Sequence, residues 1–424
     1  MTILDCKKND VDLVPDKTKL VAFTGNPDLP DNHEISIISL NGLPLPFSSE
    51  AEHLGVLRTS NASNVPNIMK RIAAHRRKLF SLLPGGLARG HYASPAASLK
   101  IEKIYALPVL LSGLASLVLR KSDLNVLHNY YKNVLRRLLR LPQDVAECAV
   151  WFLSGSLPIE ALLHIRILSL FGMICNLGDN PLPRIARNAL VRSRPSSKSW
   201  FHMVRNICLK YDLPHPLQLL DHPLPANKFK DLYKCKISVY WRYNLSQKCA
   251  SLSSLRFLQT GFISLSRPHP ILANLRGNPY ESRACYVQVL LLAGRYRTEK
   301  LRRHWSNNKN GYCILPSCKD LKLTENEEHF LLHCRALMPV RRRLLARTLE
   351  YASDKPIIQD LLSCLFTDQD DLTKLRFMLD PSTLPAVISA VQKYDDETLQ
   401  YCFKIGRMWC LSLHNARVQL IEKA

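Results

Sequence analysis

Residues 122–141 read SDLNVLHNYYKNVLRRLLRL, and this stretch decides the fold class. Ser122 is placed to cap a helix, Asp123 falls in its first turn, and Arg136, Arg137 and Arg140 fall in its last. Acids at the positive end and cations at the negative end suit the helix dipole. Pro142 stops the segment, because proline lacks the N–H a continuing helix must donate. Upstream, residues 64–83 place Ile68, Ile72, Leu79 and Leu83 on one side, with Lys70, Arg71, Arg76, Arg77 and Lys78 around the rest. Residues 98–119 predict a nearly all-apolar helix broken or kinked at Pro108. Two more helices are expected at about 145–153 and 158–177. Together, 61–178 predict a compact helical bundle with basic outer faces.

The flanks differ. Residues 18–58 carry short apolar runs, Thr18 to Thr24, Ile35 to Leu40, Pro44 to Phe47 and His53 to Leu57. Asn41-Gly42 sits between two of them, a strong hairpin signal because a type I′ turn needs positive φ at both central residues. Residues 1–60 therefore predict a small β element. After the bundle, the Pro-, Ser- and Arg-rich segment Asp179 to Lys198 predicts a linker or exposed loop. It opens a helical connecting region to residue 306, with Pro-rich joints at 214–225 and 268–279. A cysteine and histidine cluster over 307–340 and further helices over 341–424 complete the chain. The expected class is mostly α.

The 424 residues hold 58 Lys and Arg against 35 Asp and Glu, a net charge of +23. Residues 1–50 are net −4, residues 351–424 net −2, and the central 300 residues net +29. A folded chain with its excess charge in one block calls for a polyanionic partner. At 46% hydrophobic the chain has material for a core, and 15 glycines are too few for a turn-rich all-β protein. The 13 cysteines are odd in number and irregular in spacing. That argues for reduced, buried thiols such as Cys148, Cys175 and Cys285, and against a secreted disulfide framework. The first residues have no signal-peptide h-region, and the longest apolar run, Ile104 to Leu119, is too short to span a bilayer. The expectation is an intracellular protein, in nucleus or cytoplasm, with no membrane partner.

The sharpest local signal is Cys313-x4-Cys318-x10-His329-x4-Cys334. Two cysteines on a loop, then a His and a Cys brought to one face by a short helix over Glu325 to Leu332, predict four tetrahedral ligands for Zn²⁺. His333 is an alternative fourth ligand. Upstream, the segment 294–305 interleaves Arg295, Arg297, Arg302 and Arg303 with Tyr296 and Trp305. Arginines pair with phosphates, and the aromatic rings offer stacking faces to unpaired bases. Tyr394-Asp395-Asp396-Glu397 imitates a polymerase tetrad but lies between polar flanks, and it predicts an acid-favouring helix N-terminus. Asp368-Gln369-Asp370-Asp371 predicts a solvated loop. No catalytic triad or nuclease constellation stands out.

Several of these stretches together resemble the C-terminal region of LINE-type (non-LTR) retrotransposon reverse transcriptases, of the chicken-repeat and jockey-like group. Asp16 to Phe23 is similar to the late-palm lysine motif, although Val14-Pro15-Asp16 stands where the family has an Asn. His53-Leu54-Gly55-Val56 is similar to the primer-grip hairpin, and Leu157 to Glu160 with Leu170 to Gly172 to the end of the thumb. Leu292 to Arg297, Arg303-His304-Trp305, the Cys-Cys-His-Cys cluster with Glu328 to Leu332, and Met408-Trp409-Cys410 follow in the family's order. The resemblance implies the end of a polymerase palm over 1–60, a thumb over 61–178, a connecting region over 179–306 and a zinc knuckle over 307–340. It implies that Lys17 or Lys19 approaches the triphosphate and that His53 and Gly55 belong to the hairpin holding the primer. Arg76, Arg77, Arg136 and Arg137 would track backbone phosphates, and the 295–305 segment would grip single-stranded RNA or DNA. Mg²⁺ would act only in a complete polymerase, on palm carboxylates expected upstream of Met1. The chain alone is then expected to bind template RNA or primer duplex without polymerising, with the missing upstream half as a possible partner. The alternatives are a domesticated, non-catalytic zinc-containing nucleic-acid-binding protein and a zinc-dependent protein scaffold.

Overall fold

In the computed structural model the described residues are 18–21, 39–40, 43–46, 48–53, 55–82, 94–194, 197, 199–261, 265–272, 275, 278–304, 310–367, 370–394 and 396–423. Four short strands come first. β1 (Ser39–Leu40) and β2 (Leu43–Pro44) pair antiparallel, Leu40 opposite Leu43, across two residues. That is the register an Asn-Gly hairpin requires, although Asn41 and Gly42 lie outside the described residues. Leu20 bonds backbone to backbone with Pro46 (3.0 Å) and Ser48 (2.9 Å). β3 (Glu50–His53) and β4 (Val56–Thr59) form a second hairpin with His53 opposite Val56. The run from His53 to Leu57 is thus not one strand: it is divided between β3 and β4, with Gly55 at φ +77° just before β4.

Helices make up most of the remaining described residues. α1 (Val65–Ser81) buries Ile68, Ile72 and His75 and leaves Arg76 and Arg77 in solvent. The second hairpin is docked on α1 through Asn67, whose side chain bonds both N–H and C=O of Leu57, and through Arg71, which donates to the Gly55 carbonyl at 2.5 Å.

The apolar helix expected over 98–119 is distorted rather than broken at Pro108, and it ends at Leu111, ahead of Gly113 at φ +72°. α2 (Pro95–Ile101) widens into a π turn over Glu102–Ala106 before α3 (Leu107–Leu111). The wider turn relieves the clash of the Pro108 ring with the carbonyl one turn back. It also buries Glu102 beside His75 (3.4 Å) and the Tyr131 hydroxyl (3.5 Å).

α4 (Lys121–Leu138) starts one residue before the expected cap. The Asp123 carboxylate accepts from the Arg120 N–H at 2.9 Å, so Arg120, not Ser122, is the capping residue. α5 (Glu147–Ser154) and α6 (Ile159–Cys175) complete the bundle. Its centre is apolar: Leu110, Leu127, Trp151, Phe152 and Phe171 are fully buried, each side chain of that size contributing about 1.5–3 kcal/mol. Gly155 ends α5 at φ +61°, and a Cβ there would lie 1.8 Å from the Arg267 carbonyl oxygen. The 266–268 loop therefore rests directly on this turn.

The Asp179 to Lys198 segment is not simply a linker. α7 (Pro181–Arg192) fills most of it, with Asn180 as cap and Pro181 at a position where the missing N–H costs nothing. Ala186 and Leu190, one turn apart, bury the helix against α8 (Trp200–Lys210) and α9 (Pro216–Asp221). α10 (Ala226–Ala250) packs along α6.

α11 (Pro279–Leu292) leads to the short α12 (Glu299–Arg302) and α13 (Pro316–Lys319). Then come α14 (Met338–Tyr351), α15 (Pro356–Thr367), α16 (Asp371–Leu379), α17 (Pro385–Tyr394) and α18 (Asp396–Glu422). Asp396 opens α18, and Asp370 is not merely loop: its carboxylate caps α16 by accepting from Thr373 N–H at 2.6 Å. α18 lies against α11, α14, α16 and α17. Buried apolar residues from Val56 to Leu413 form one contiguous core. Eleven described cysteines are free thiols, ten of them buried. No single described helix is long and apolar enough to cross a membrane.

Candidate metal centre and basic trough

The segment that carries the four candidate ligands is a small hairpin followed by a tight turn. Tyr312 and Thr324 form an antiparallel bridge, and Cys313 N–H donates to the Leu323 carbonyl (2.8 Å). Cys318 sits on the one-turn α13. Asn326 accepts from His329 N–H (2.7 Å), starting a turn that ends in a π segment over His329–His333. In that segment the Cys334 N–H reaches the His329 carbonyl (2.7 Å). The i to i+5 spacing turns His329 and Cys334 to one side.

The ligand atoms of Cys313, Cys318, His329 and Cys334 all lie within 4.8 Å of one another, and all four residues are buried. Sγ of Cys334 is 4.0 Å from that of Cys313 and 3.8 Å from that of Cys318. A tetrahedral ion with metal–sulfur bonds of about 2.3 Å would hold sulfurs about 3.8 Å apart. His329 Nε2 is buried with no hydrogen-bond partner, which is costly for a polar atom unless something else binds it. Cys334 is held down to about 4, first by the hydrogen bond from Cys313 and then by His329 and Cys318, while the same bond pushes the Cys313 thiol up. This buried group could hold a metal ion. His333 is outside it: half-exposed, it lies 2.9 Å from Asp371 and 3.9 Å from Glu328.

The upstream cationic segment runs along the metal hairpin. Gly294 ends α11 at φ +61°, where a Cβ would meet the Ser254 carbonyl at 2.1 Å. That close approach aims the next residues across the surface. Arg295 Nε donates to the Asp144 carbonyl (2.9 Å) and pairs with its carboxylate (3.1 Å). Arg295, Arg297 and Arg302 converge with Pro142, Gln143 and Asp144 on an open cavity of about 600 Å³. A second cavity of about 260 Å³ shares Arg295 and adds Arg256, Lys300 and His304. The two, sharing Arg295, make a largely cationic trough beside the hairpin, in which Glu327 pairs with Arg256 at 3.3 Å.

Not every expected residue joins it. Tyr296 is 4% exposed and offers no face to a base. Its ring stacks on Phe330, with centroids 4.8 Å apart, and its hydroxyl meets His414 Nδ1 at 2.9 Å. The cation–aromatic alternation is real, but its aromatic half at this position is core. Arg303 is exposed. Lys17 and Trp305 lie outside the described residues.

On the bundle, Arg76, Arg77 and Arg137 are exposed, with Arg76 over the Tyr130 ring at 5.4 Å. Arg136 turns inward and gives a 2.6 Å bond to the Val145 carbonyl. Lys19 and His53 are exposed near the hairpins, and Gly55 forms its turn. Sequence reasoning missed Arg256, Glu325, His414, Arg417 and Arg341, whose guanidinium donates to the Cys334 carbonyl. The one advance signal was position: Arg417 follows Cys410 and Leu413 at helical spacing, a charge on a buried face. The chain matches no protein-family model, no curated protein and no solved structure.

Proposed function

We propose that this chain is a zinc-containing nucleic-acid-binding module, the C-terminal part of a LINE-type reverse transcriptase, that grips single-stranded RNA or DNA in the trough beside the metal centre. The observation that carries this is the convergence of Arg295, Arg297 and Arg302 on one open cavity next to Lys300, Arg256 and His304. Guanidinium groups offer paired N–H donors to phosphate oxygens, so such a row follows a backbone and ignores sequence. Three thiols and one imidazole are soft, tetrahedral ligands, and among abundant divalent ions that set favours zinc. The ion closes the hairpin and supplies no chemistry to a substrate. The exposed Arg76, Arg77 and Arg137 would add duplex contacts on the bundle. The module acts without polymerising.

Binding of a labelled single-stranded RNA, measured by anisotropy across a salt series, tests this. Affinity should fall steeply and log-linearly with salt, because each phosphate neutralised releases counterions. A flat salt response excludes the trough as a backbone site. Metal analysis should return one zinc per chain. Extension of a primed RNA template with Mg²⁺ and triphosphates should give no product; robust extension overturns the non-polymerising assignment.

A further inference from the structure

We infer that Glu325 and Arg417 are positioning residues that make the grip of the trough depend on the metal centre, a regulatory role that rests on the nucleic-acid function proposed for that trough.

Glu325 stands where three parts of the chain meet. Its N–H donates to the Gly311 carbonyl (3.0 Å), closing the metal hairpin at its open end. Its carbonyl accepts from Lys300 N–H (3.2 Å). Its carboxylate accepts from Glu299 N–H (2.7 Å), at the first residue of α12. The same carboxylate takes both Nε (2.7 Å) and Nη2 (2.8 Å) of Arg417 from α18. Glu325 and Glu299 are 1% exposed and Arg417 is 3% exposed. The Glu299 carboxylate is in turn 2.9 Å from Arg302 and 3.7 Å from Arg417.

α12 is four residues long, too short to persist without outside support. Its direction comes from the N–H bonds of Glu299 to the Glu325 carboxylate and of Lys300 to the Glu325 carbonyl, the Thr298 cap and the ion pairs around Glu299. Lys300 and Arg302, which line the trough, are therefore aimed by a residue of the metal hairpin. The hairpin has little core of its own, and small metal modules of this kind lose their structure without the ion. Metal loss should displace Glu325, release Glu299, and leave Lys300 and Arg302 undirected. Arg417 makes the coupling firm, since it ties both buried carboxylates to the long C-terminal helix.

Hydrogen–deuterium exchange on the full chain, with zinc and after chelation, tests the coupling without RNA. Protection over 299–303 should fall together with that over 311–334. If 311–334 opens while 299–303 stays protected, the inference is overturned. RNA binding tests the consequence. Chelation should weaken binding of a single-stranded RNA oligonucleotide at least tenfold in the wild type. Arg417→Met should keep zinc yet bind about tenfold more weakly, with a smaller further loss on chelation than the wild type shows. Glu325→Gln, which keeps shape and one acceptor, is the second variant should Arg417→Met fail to fold. Folded, zinc-loaded variants that bind RNA like the wild type, and respond to chelation like it, overturn the inference. A zinc-loaded wild type that does not bind RNA overturns the nucleic-acid function instead, and the exchange experiment still decides the coupling.

Discussion

The helical bundle within residues 65–175 and the described part of 292–334 are held together by different means. The bundle is held by Leu127, Trp151, Phe152 and their apolar neighbours. The segment adds to buried Leu315, Phe330 and Leu331 a polar interior of three cysteines, a histidine, the Glu325–Arg417 pair and the Tyr296–His414 bond. Apolar burial is non-directional and tolerates small errors of geometry. Polar interiors do not: each donor needs its acceptor, and a lost partner leaves a costly orphan. The first design gives a stable platform. The second gives a part whose shape can depend on an ion.

The contrast can be broken most forcefully at the metal. Cys334→Ser removes one of four ligands, and structural zinc contributes about 10–16 kcal/mol of apparent binding energy in small modules. Metal analysis should show loss of stoichiometric zinc, with exchange protection lost over 311–334 and the bundle still protected. Full zinc retention would dissolve the distinction.

Next in size is Phe152→Ala, a fully buried ring. It should lower stability by about 3–5 kcal/mol, with the same shift in denaturant midpoint with and without chelator. A chelator-dependent shift would mean the two regions are not separately supported.

The bundle also has a polar joint. His164, bonded to the Tyr211 hydroxyl at 2.8 Å, is pushed down from 6.5 to about 4, chiefly by burial. The folded chain keeps it neutral while the unfolded chain protonates it. Its contribution is therefore complete above pH 6.5 and is lost as the pH falls from 6.5 to 4. The loss is about 3 kcal/mol at the low end, from about 1.4 kcal/mol per tenfold change in proton affinity. The stability difference between wild type and His164→Gln, from urea melts across that range, should shrink accordingly. A difference independent of pH would show the imidazole to be less desolvated than its packing indicates.

The smallest effect separates two arginines. Arg297→Ala should weaken RNA binding by about 1 kcal/mol and reduce the salt slope by about one. Arg136→Ala should change neither, because its guanidinium is committed to the Val145 carbonyl. The reverse result would move the interface from the trough to the bundle.

Local chemistry in the chain announced much of this. Pro108 distorted its helix where a kink is expected, and the spacing of Cys313, Cys318, His329 and Cys334 named the residues that meet. Errors fell where local pattern and distant contact disagree. Ser122 was a plausible cap, but the Asp123 carboxylate selected the N–H of Arg120. Residues 179–198 had a linker's composition, yet Ala186 and Leu190 found α8 and α9 to pack against. Tyr296 sits among cations like a base-stacking residue, and only its neighbours Phe330 and His414 reveal that it points inward.

By itself, the sequence determined the helical class, the distortion at Pro108, the basic central block and the four candidate ligands, since each depends on periodicity, backbone geometry or short spacing. Only the tertiary structure decided which of His329 and His333 faces the thiols, which arginines stay in solvent, and that Glu325 meets an arginine 92 residues away. Those outcomes rest on directional contacts between distant segments, and no local pattern encodes a partner's position.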